Sequence, residues 1–278
     1  MSLFIVTATT DPARASVSIG TWLAAATGTP RPQLFVLENG AGIPGGYRGT
    51  VPAFRAAVDH VLATTSPEVD VIACLHDDVD ILEAGWDETV LRYFARHPAM
   101  GLAGFGGAVG LGTDDLYRAP YDPMQLARIG FRSNLVDAEV HGARSLLAER
   151  VACLDGFSQI GRRDFWLGQG LTPNLANARD PDRYAGLRQW ERPWSALEQL
   201  GVLHHGYDGM LGCLAKRYGW ETWYLPIRCR HLGGQTAVGD AGYQAWAATQ
   251  HPDGDRGLWQ QAHAIWYDAF RDVLPMRI

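Results

Sequence analysis

The sequence has no excess of positive charge. Its 278 residues include 24 lysines and arginines against 30 aspartates and glutamates, which gives a formal net charge of −6. Proteins that bind nucleic acids usually carry a basic excess or a basic stripe, so the charge balance argues against that class of partner. A nucleotide remains a suitable ligand, because a divalent cation can sit between an acidic protein and a diphosphate.

Paired cysteines and long apolar runs are also missing. The four cysteines, Cys74, Cys153, Cys213 and Cys229, fit no CxxC spacing and lie in apolar stretches, so we expect small buried thiols. No apolar run reaches the roughly 18–20 residues of a membrane span. The first residues have neither the basic region nor the apolar core of a signal peptide. These absences predict a cytoplasmic protein that has no membrane span.

Several catalytic signatures are absent as well. The chain has no GxSxG, GxxxxGKS/T or HExxH motif, and no GxGxxG in a suitable context. The chemistries of serine hydrolases, P-loop proteins, zinc proteases and dinucleotide-binding enzymes therefore fit the sequence poorly.

The chain does have enough hydrophobic residues for a packed core. They make up 47% of the sequence, against 19% charged residues, which argues against disorder. The length suits one large domain with a modest appendage. We predict a main domain over residues 1–235, in which segment 160–200 is an irregular insertion or lid. A helical extension over residues 236–278 is expected to pack on or beside it.

Apolar segments of strand length alternate with segments of helical periodicity. Strands are predicted at residues 3–8, 33–37 and 69–75, and helices at 13–26 and 51–63. This alternation is typical of βαβ units. We therefore predict an α/β fold with a mostly parallel, Rossmann-like sheet flanked by helices.

Polar residues follow each of the three predicted strands. They include Thr7 and Thr9 in the first case, Glu38 in the second and His76 in the third. Open α/β sheets bind ligands at the carboxyl ends of their strands. We therefore expect these strand ends to converge on one ligand site, with Thr7, Thr9 and Glu38 among its residues.

The third strand leads into a cluster of acidic residues, Asp77, Asp78 and Asp80. Carboxylates placed so closely repel one another, and a divalent cation would relieve the repulsion. Mg²⁺ and Mn²⁺ are commonly held by one or two carboxylates together with substrate phosphates. The alternative is an acidic, solvated turn that caps the next helix. Asp78 and Asp80 are both candidate metal ligands, and the sequence does not choose between them.

Two later segments contain further candidate site residues. Asp208 ends the segment 204–208 (His-His-Gly-Tyr-Asp) and falls near the N-terminus of a predicted helix, where the helix dipole favours a carboxylate. It is either a helix cap or a general base, and a base must lie within hydrogen-bond reach of the proton that it removes. His231 is either a structural histidine or a nitrogen ligand to a borderline metal such as Mn²⁺.

In their order along the chain, these segments resemble the family-2-type GT-A glycosyltransferases. The resemblance spans roughly residues 3–235 and rests on short motifs: Glu38, Asp77 to Asp80, Asp155 with Gly156, segment 205–208 and His231. It implies a GT-A fold and a nucleotide-sugar donor. It also implies that Glu38 contacts the base or ribose of the donor, and that Asp77 and Asp78 contact the ribose and the metal.

The same resemblance implies roles for the later residues. Asp155 and Gly156 would line the acceptor side of the donor sugar. Asp208 would be the catalytic base of an inverting transfer, and His231 would contact the metal or the diphosphate. His205 and Tyr207, which neighbour Asp208, are predicted to lie on the acceptor side.

Arginines and tryptophans are interleaved in segment 160–200. Arg162 and Arg163 could brace phosphates or carboxylates, and Trp166 could stack on a sugar or a planar acceptor. A surface loop with anchoring tryptophans explains the pattern equally well. On the functional interpretation, these three residues belong to an acceptor-side lid.

The sequence thus predicts a metal-dependent glycosyltransferase that uses Mn²⁺ or Mg²⁺ and a UDP, GDP or TDP sugar. The acceptor would be a saccharide, a peptide or a small metabolite, and transfer would invert the anomeric carbon. One alternative is a non-catalytic protein that binds sugar nucleotides or glycans on the same scaffold. Another is a nucleotidyltransferase, although the usual glycine-rich signature after the first strand is absent. No pattern indicates an oligomeric state.

Overall fold

The structure is a computed structural model that describes residues 1–40, 46–66, 69–112, 128–136, 143–173, 184–233 and 240–278. The helices in these ranges are α1 (Pro12–Ala25), α2 (Thr50–Thr64), α3 (Trp86–Arg96), α4 (Arg163–Trp166), α5 (Pro193–Gln199), α6 (Tyr207–Arg217), α7 (Ala241–Gln250) and α8 (Gly254–Ala269). The strands are β1 (Ser2–Thr9), β2 (Gln33–Glu38), β3 (Val69–Leu75), β4 (Val79–Ile81), β5 (Met100–Gly104), β6 (Gly106–Leu111), β7 (Arg128–Ser133), β8 (Ala143–Arg144), β9 (Glu149–Arg150), β10 (Cys153–Leu154), β11 (Ser158–Arg162), β12 (Gln169–Pro173), β13 (Tyr184–Gln189), β14 (Glu221–Tyr224), β15 (Cys229–His231) and β16 (Met276–Arg277).

The largest sheet has seven strands in the order β2-β1-β3-β11-β5-β14-β9. β1 is parallel to β2 and β3, and β14 is parallel to β5. β11 is antiparallel to both of its neighbours, β3 and β5, and β9 is antiparallel to β14. The sheet is therefore mixed. It is an α/β architecture compatible with the predicted Rossmann-like fold, but an antiparallel strand runs through its centre.

The direction of β11 has a topological cause. β5 leads directly into β6, which belongs to a second sheet beyond the carboxyl end of β5. The chain returns from β10 of that second sheet through residues 155–157 and enters the large sheet at its carboxyl edge. From this edge β11 runs back, with Ser158 opposite Leu75 and Arg162 opposite Val71. The turn at 155–157 therefore lies beside the end of β3.

Three smaller sheets complete the described strands. The second sheet has the order β10-β6-β7-β8, and β16 pairs with β6 at the side of this path. β12 pairs with β13 as an antiparallel ribbon. β4 pairs with β15, which places His231 opposite Val79. This last pairing matters most for the site, because it brings a distant part of the chain to the end of β3.

The inner strands are apolar on both faces because helices cover both sides of the large sheet. Along β1, Leu3 and Ile5 belong to one core, whereas Phe4 and Val6 belong to another. α1 and α3 close the first core, and α2, α5, α6 and α8 close the second. This two-sided burial explains why the strands read as continuous apolar runs in the sequence.

Helix α1 begins where the sequence predicts and fixes one side of the site. The Asp11 side chain accepts hydrogen bonds from the N–H groups of Ala13 and Arg14, at 3.0 and 3.1 Å, and Pro12 occupies the first turn. The fully buried Trp22 donates from Nε1 to the Val79 carbonyl oxygen at 2.6 Å. The helix is thereby held against the acidic turn that follows β3.

Segment 160–200 is more regular than predicted. Its described residues form α4, the β12–β13 ribbon and α5, while residues 174–183 of the predicted lid lie outside the described residues. The helices predicted within 236–278 are present as α7 and α8. They pack against the main domain: Trp266 Nε1 donates to Cys213 Sγ at 3.4 Å, and the Trp246 ring lies 4.9 Å from the Tyr47 ring. The domain division at residue 235 stays a prediction.

All four cysteines are free and buried, as the sequence predicts. Burial raises the pKa of the Cys153 thiol to about 12, so this thiol stays protonated near neutral pH. In the part of the chain that the structure describes, no helix has both the length and the apolar character needed to cross a membrane.

Candidate functional site

A cavity of about 280 Å³ opens at the carboxyl edge of the large sheet. We call it the strand-end cavity. Its wall contains residues at the carboxyl ends of three neighbouring strands, namely Ala8 and Thr10 at the end of β1, Asn39 after β2, and His76, Asp77 and Asp78 after β3. The N-terminus of α6 and the turn at 155–157 close its other side. The predicted convergence of the strand ends is therefore observed.

The predicted residues of the first two strand ends are each one position away from this wall. Glu38 is exposed and does not line the cavity, whereas Asn39 does. Thr7 is fully buried, and its Oγ1 forms no hydrogen bond within the described residues. Side chains alternate between the two faces of a strand, so Ala8 and Thr10 line the cavity while Thr7 and Thr9 do not.

Three potential metal ligands, His76, Asp78 and His231, meet in this cavity. One ligand atom from each residue lies within 4.8 Å of the others. His231 reaches the group because β15 pairs with β4, and the Leu232 N–H donates to the Asp78 carbonyl oxygen at 3.1 Å. The group could hold a metal ion with two imidazole nitrogens and one carboxylate oxygen. We call it the His-Asp-His group.

The protonation states in this group suit a divalent cation. Burial raises the pKa of Asp78, but His231, His76 and Arg14 outweigh it, and the pKa is lowered overall. The buried Oδ1 of Asp78 lies 3.3 Å from His231 Nε2 yet forms no well-directed hydrogen bond. Burial lowers the pKa of His76, so its ring is neutral near pH 7 and has a lone pair to offer. The residues present therefore fit a metal ion.

Tyr207 determines which nitrogen of His76 is available. Its hydroxyl oxygen lies 2.7 Å from His76 Nε2 and 3.2 Å from the Gly156 carbonyl oxygen. A carbonyl oxygen can only accept, so the tyrosine proton points to Gly156 and the tyrosine oxygen accepts from the His76 Nε2–H. His76 Nδ1 then carries the lone pair. The contact also explains Gly156, since a Cβ there would lie 2.6 Å from the Tyr207 hydroxyl.

Replacing Tyr207 by phenylalanine is expected to weaken metal binding by about 10–100-fold, the usual effect of removing a group that orients a ligand. The phenyl ring keeps the packing, but His76 loses the partner that fixes its tautomer. Titration with Mn²⁺, followed by calorimetry or by the electron paramagnetic resonance of the free ion, measures the change. Tyr218→Phe, which removes a hydrogen bond to the Glu191 carbonyl oxygen, is the matched control. An unchanged affinity in Tyr207→Phe would contradict the assignment.

Asp77 is buried and already has partners. Its Oδ2 accepts from Thr9 Oγ1 at 2.5 Å and from Arg14 Nη2 at 2.7 Å. Thr9 therefore acts through Asp77 rather than by direct contact with the cavity. Asp77 Oδ1 forms no hydrogen bond with another described residue and remains for a ligand in the cavity.

Asp80 is not part of the His-Asp-His group. Its Oδ1 accepts from Ser18 Oγ at 3.1 Å, and its Oδ2 lies 3.7 Å from Arg230 Nη1. Along β4 the Asp80 side chain alternates with the buried Val79 and Ile81, which directs it to α1 instead of the cavity. Of the two carboxylates that the sequence left open, the structure brings Asp78 to both histidines.

A second cavity of about 550 Å³ adjoins the first, and we call it the aromatic cavity. Asp155, His205, Gly206 and Asp208 line both cavities, and the remaining wall of the second consists of Arg128, Phe131, Trp259, His263 and Trp266. Asp208 lies in the first turn of α6, as predicted. Its carboxylate pairs with Arg128 and accepts from the Gly209 N–H at 2.8 Å.

A hydrogen-bonded cluster from the C-terminal segment closes the boundary between the cavities. His205 Nε2 lies 2.6 Å from Asp255 Oδ1, and the Tyr243 hydroxyl donates to the same oxygen. His204 Nδ1 lies 2.7 Å from Thr50 Oγ1. Burial lowers the pKa of His204 to about 3, so this ring is uncharged at neutral pH. Residues beyond 235 thus form part of the site wall.

Arg162, Arg163 and Trp166, which were predicted on the acceptor side, line neither cavity. Arg162 lies opposite Val71 at the amino edge of the sheet and donates to backbone carbonyl groups of α3 and β5. Arg163 donates to a carbonyl group of α2, and the buried Trp166 donates from Nε1 to β3 at 3.1 Å. Their prediction as an acceptor-side lid is corrected, because β11 carries the chain away from the cavities before these residues occur.

Several residues of the site were not singled out as site residues from the sequence, among them Arg14, His76, Arg128 and Asp255. Arg14 and His76 had a local signal, since one follows the Asp11 helix cap and the other directly precedes Asp77. Arg128 and Asp255 had none, because only the tertiary fold brings them to Asp208 and His205.

Comparison with known proteins adds little. No family model matches the chain, and no curated protein matches it. Among solved structures, the chain is similar to the crystal structure of A197 from STIV, with a TM-score of 0.44 and 12% sequence identity over 84% of this chain and 86% of that chain. A structural similarity this low supports no conclusion about function. The function has to be inferred from the geometry of the site.

Proposed function

We propose that the protein is a metal-dependent glycosyltransferase with a nucleoside diphosphate sugar as its donor. The observation that carries the proposal is the His-Asp-His group, whose ligand atoms lie within 4.8 Å of one another in the strand-end cavity. The carboxyl edge of an open α/β sheet is where such folds bind nucleotides. Three protein ligands leave coordination positions for phosphate oxygens.

The ligand types favour Mn²⁺ over Mg²⁺. Mg²⁺ takes oxygen ligands and keeps several waters, whereas imidazole nitrogen suits later transition metals better, and carboxylate oxygen suits Mn²⁺. His76 and His231 supply two imidazoles to one carboxylate from Asp78. When bound, such an ion would act as a Lewis acid that stabilises the negative charge of a leaving diphosphate.

The protein side chains around the strand-end cavity suit the rest of the donor. Tyr47 lines it and offers an aromatic ring to a nucleoside. The Tyr47 ring is held by packing against Tyr243 and Trp246. Asp77 Oδ1 faces the same space and can accept from a ribose hydroxyl.

The aromatic cavity suits the acceptor. Trp259 and Phe131 offer faces on which a sugar ring can stack, and Asp155 and Asp208 offer carboxylates to hydroxyl groups. The two cavities meet at Asp155 and Asp208, so an acceptor in the aromatic cavity would meet the donor sugar beside these carboxylates. A general base at this junction is what single displacement with inversion requires. Asp208, which the family resemblance offers as the base, borders both cavities.

A thermal-shift panel of UDP, GDP, CDP and TDP, each with and without Mn²⁺ or Mg²⁺, tests the proposal. One diphosphate is expected to raise the melting temperature only together with Mn²⁺. A ligand that binds only the folded state stabilises it by about 2.7 kcal/mol at a hundredfold excess over its Kd. No shift with any nucleotide would contradict the proposal. Binding of the donor without release of its sugar would instead favour a non-catalytic binding protein.

A further inference from the structure

His205 occupies the place where the donor and the acceptor would meet. It lines the strand-end cavity and the aromatic cavity alike, together with Asp155, Gly206 and Asp208. Its side chain is 22% exposed, so it is held by the protein yet still open to a ligand. A group at this junction can touch the reacting atoms of both substrates.

The hydrogen bonds of His205 orient the ring for proton transfer. Its Nε2 lies 2.6 Å from Asp255 Oδ1, and the Tyr243 hydroxyl donates to the same oxygen. An ionised carboxylate can only accept, so the proton of the neutral ring lies on Nε2 and the lone pair lies on Nδ1. Nδ1 forms no hydrogen bond with another described residue. A histidine oriented by a carboxylate, with its other nitrogen free, is a recurring arrangement of general bases.

Asp255 is suited to support that role. Burial raises the pKa of its carboxyl group, but the hydrogen bonds from Tyr243 and His205 outweigh it, and the pKa is lowered overall. The carboxylate is therefore ionised at neutral pH. A negative charge beside Nε2 stabilises the imidazolium that forms when Nδ1 takes a proton.

Asp208 is less available than its position suggests. Arg128 occupies Asp208 Oδ2, and the Gly209 N–H occupies Oδ1. Burial lowers the pKa of Arg128, but Asp208 outweighs it and the pKa is raised, so the guanidinium never releases its partner by losing a proton. A proton that moved to Asp208 would have to compete with this ion pair, whereas Nδ1 of His205 has no such competitor.

We infer that His205, and not Asp208, takes the proton from the acceptor, and that Asp255 is its positioning residue. The inference rests on the proposed function. The acceptor O–H gives its proton to His205 Nδ1 while its oxygen bonds to the anomeric carbon of the donor sugar. The bond from that carbon to the diphosphate oxygen breaks, and its electron pair leaves with the nucleoside diphosphate. His205 then releases the proton to water, and Asp208 with Arg128 holds the acceptor.

Donor hydrolysis with water as the acceptor tests this in the full-length protein. The probes are UDP-glucose, GDP-mannose and TDP-glucose with Mn²⁺, and the readout is the nucleoside diphosphate released. His205→Gln is expected to lower kcat by about 10²–10⁴-fold, the usual contribution of a general base. Asp255→Asn is expected to lower kcat as well. The KM for the donor and the thermal shift with the nucleoside diphosphate should stay unchanged in both variants.

The control is His60→Gln, an exposed histidine of α2 that stacks on Phe35 outside both cavities. It should keep the kcat of the wild type. If Asp208→Asn abolishes hydrolysis while His205→Gln retains it, the inference is overturned and the proposed function stands. If the wild-type protein binds a donor but hydrolyses none, the proposed function fails, and the inference fails with it.

The tautomer of His205 supplies a second test that needs no turnover. Long-range ¹H–¹⁵N correlation spectra of labelled protein report which ring nitrogen carries the proton, and His205→Gln assigns the signal. The neutral ring is expected to show a protonated Nε2 and a bare Nδ1, and Asp255→Asn is expected to mix the two tautomers. A neutral ring protonated on Nδ1 would overturn the inference.

Discussion

Replacing Asp78 by asparagine is expected to abolish metal binding and, with it, the metal-dependent part of nucleotide binding. Asp78 supplies the one carboxylate of the His-Asp-His group, and an uncharged amide leaves two neutral imidazoles to hold a dication. The loss of metal affinity should exceed the roughly 10–100-fold effect of replacing a residue that hydrogen-bonds to a metal ligand. Mn²⁺ titration measures the affinity directly, and thermal shifts with the nucleoside diphosphate measure its consequence.

Asp80→Asn is the matched control for this prediction. Asp80 belongs to the same acidic turn but contacts Ser18 and Arg230 rather than the two histidines. Its replacement should leave the Mn²⁺ affinity within about twofold, since second-sphere effects require contact with a ligand. The opposite result, loss in Asp80→Asn with retention in Asp78→Asn, would show that the other register of the acidic turn binds the ion.

Replacing Trp166 by alanine is expected to lower the free energy of unfolding by about 3–5 kcal/mol, as is usual for a buried tryptophan. Its side chain is 1% exposed, stacks on Trp194 at 5.7 Å and donates a hydrogen bond to the Ile72 carbonyl oxygen. Urea denaturation measures the change. Because Trp166 lines neither cavity, the Kd of the nucleoside diphosphate should be unchanged at temperatures where the variant is folded.

The same exchange at Trp259 provides the contrast. Trp259 is only partly buried and lines the aromatic cavity, so Trp259→Ala should cost much less stability. A Trp166→Ala variant with normal stability but weakened ligand binding would show that Trp166 contributes to the acceptor side and not to the core.

Much of the secondary structure could be predicted because its signals are local. The apolar run that predicts β3 has the same bounds as the strand, Val69–Leu75, and α1 and α2 lie within one residue of their predicted ends. Hydrophobic periodicity and the Asp11 cap determine these elements from neighbouring residues alone. The antiparallel direction of β11 has no such signal. It depends on the edge of the large sheet at which the chain returns from the second sheet.

The candidate site shows the same division between local and tertiary information. Asp78 and His231 could be predicted as candidate metal ligands from a strand end and a late histidine. The choice between Asp78 and Asp80 required their tertiary contacts, since only the first lies with two histidines while the second contacts Ser18 and Arg230. Arg128 and Asp255 lie in elements far in sequence from their partners Asp208 and His205, and no local spacing predicts these contacts. Composition predicts an acceptor-side position for Arg162, Arg163 and Trp166, whereas β11 carries these three residues to the opposite edge of the sheet.

The pairing of β4 with β15 also has a kinetic consequence. It closes a very long loop, and the entropy of such a closure must be overcome before its contacts stabilise anything. β1, β2 and β3 are near in sequence and can pair earlier. His76 and Asp78 would then be in place before His231 joins them. If the pairing forms after the rate-limiting barrier to folding, an ion that needs all three ligands binds only after that barrier. Such an ion would slow unfolding and leave the folding rate almost unchanged, which chevron plots with and without Mn²⁺ would show.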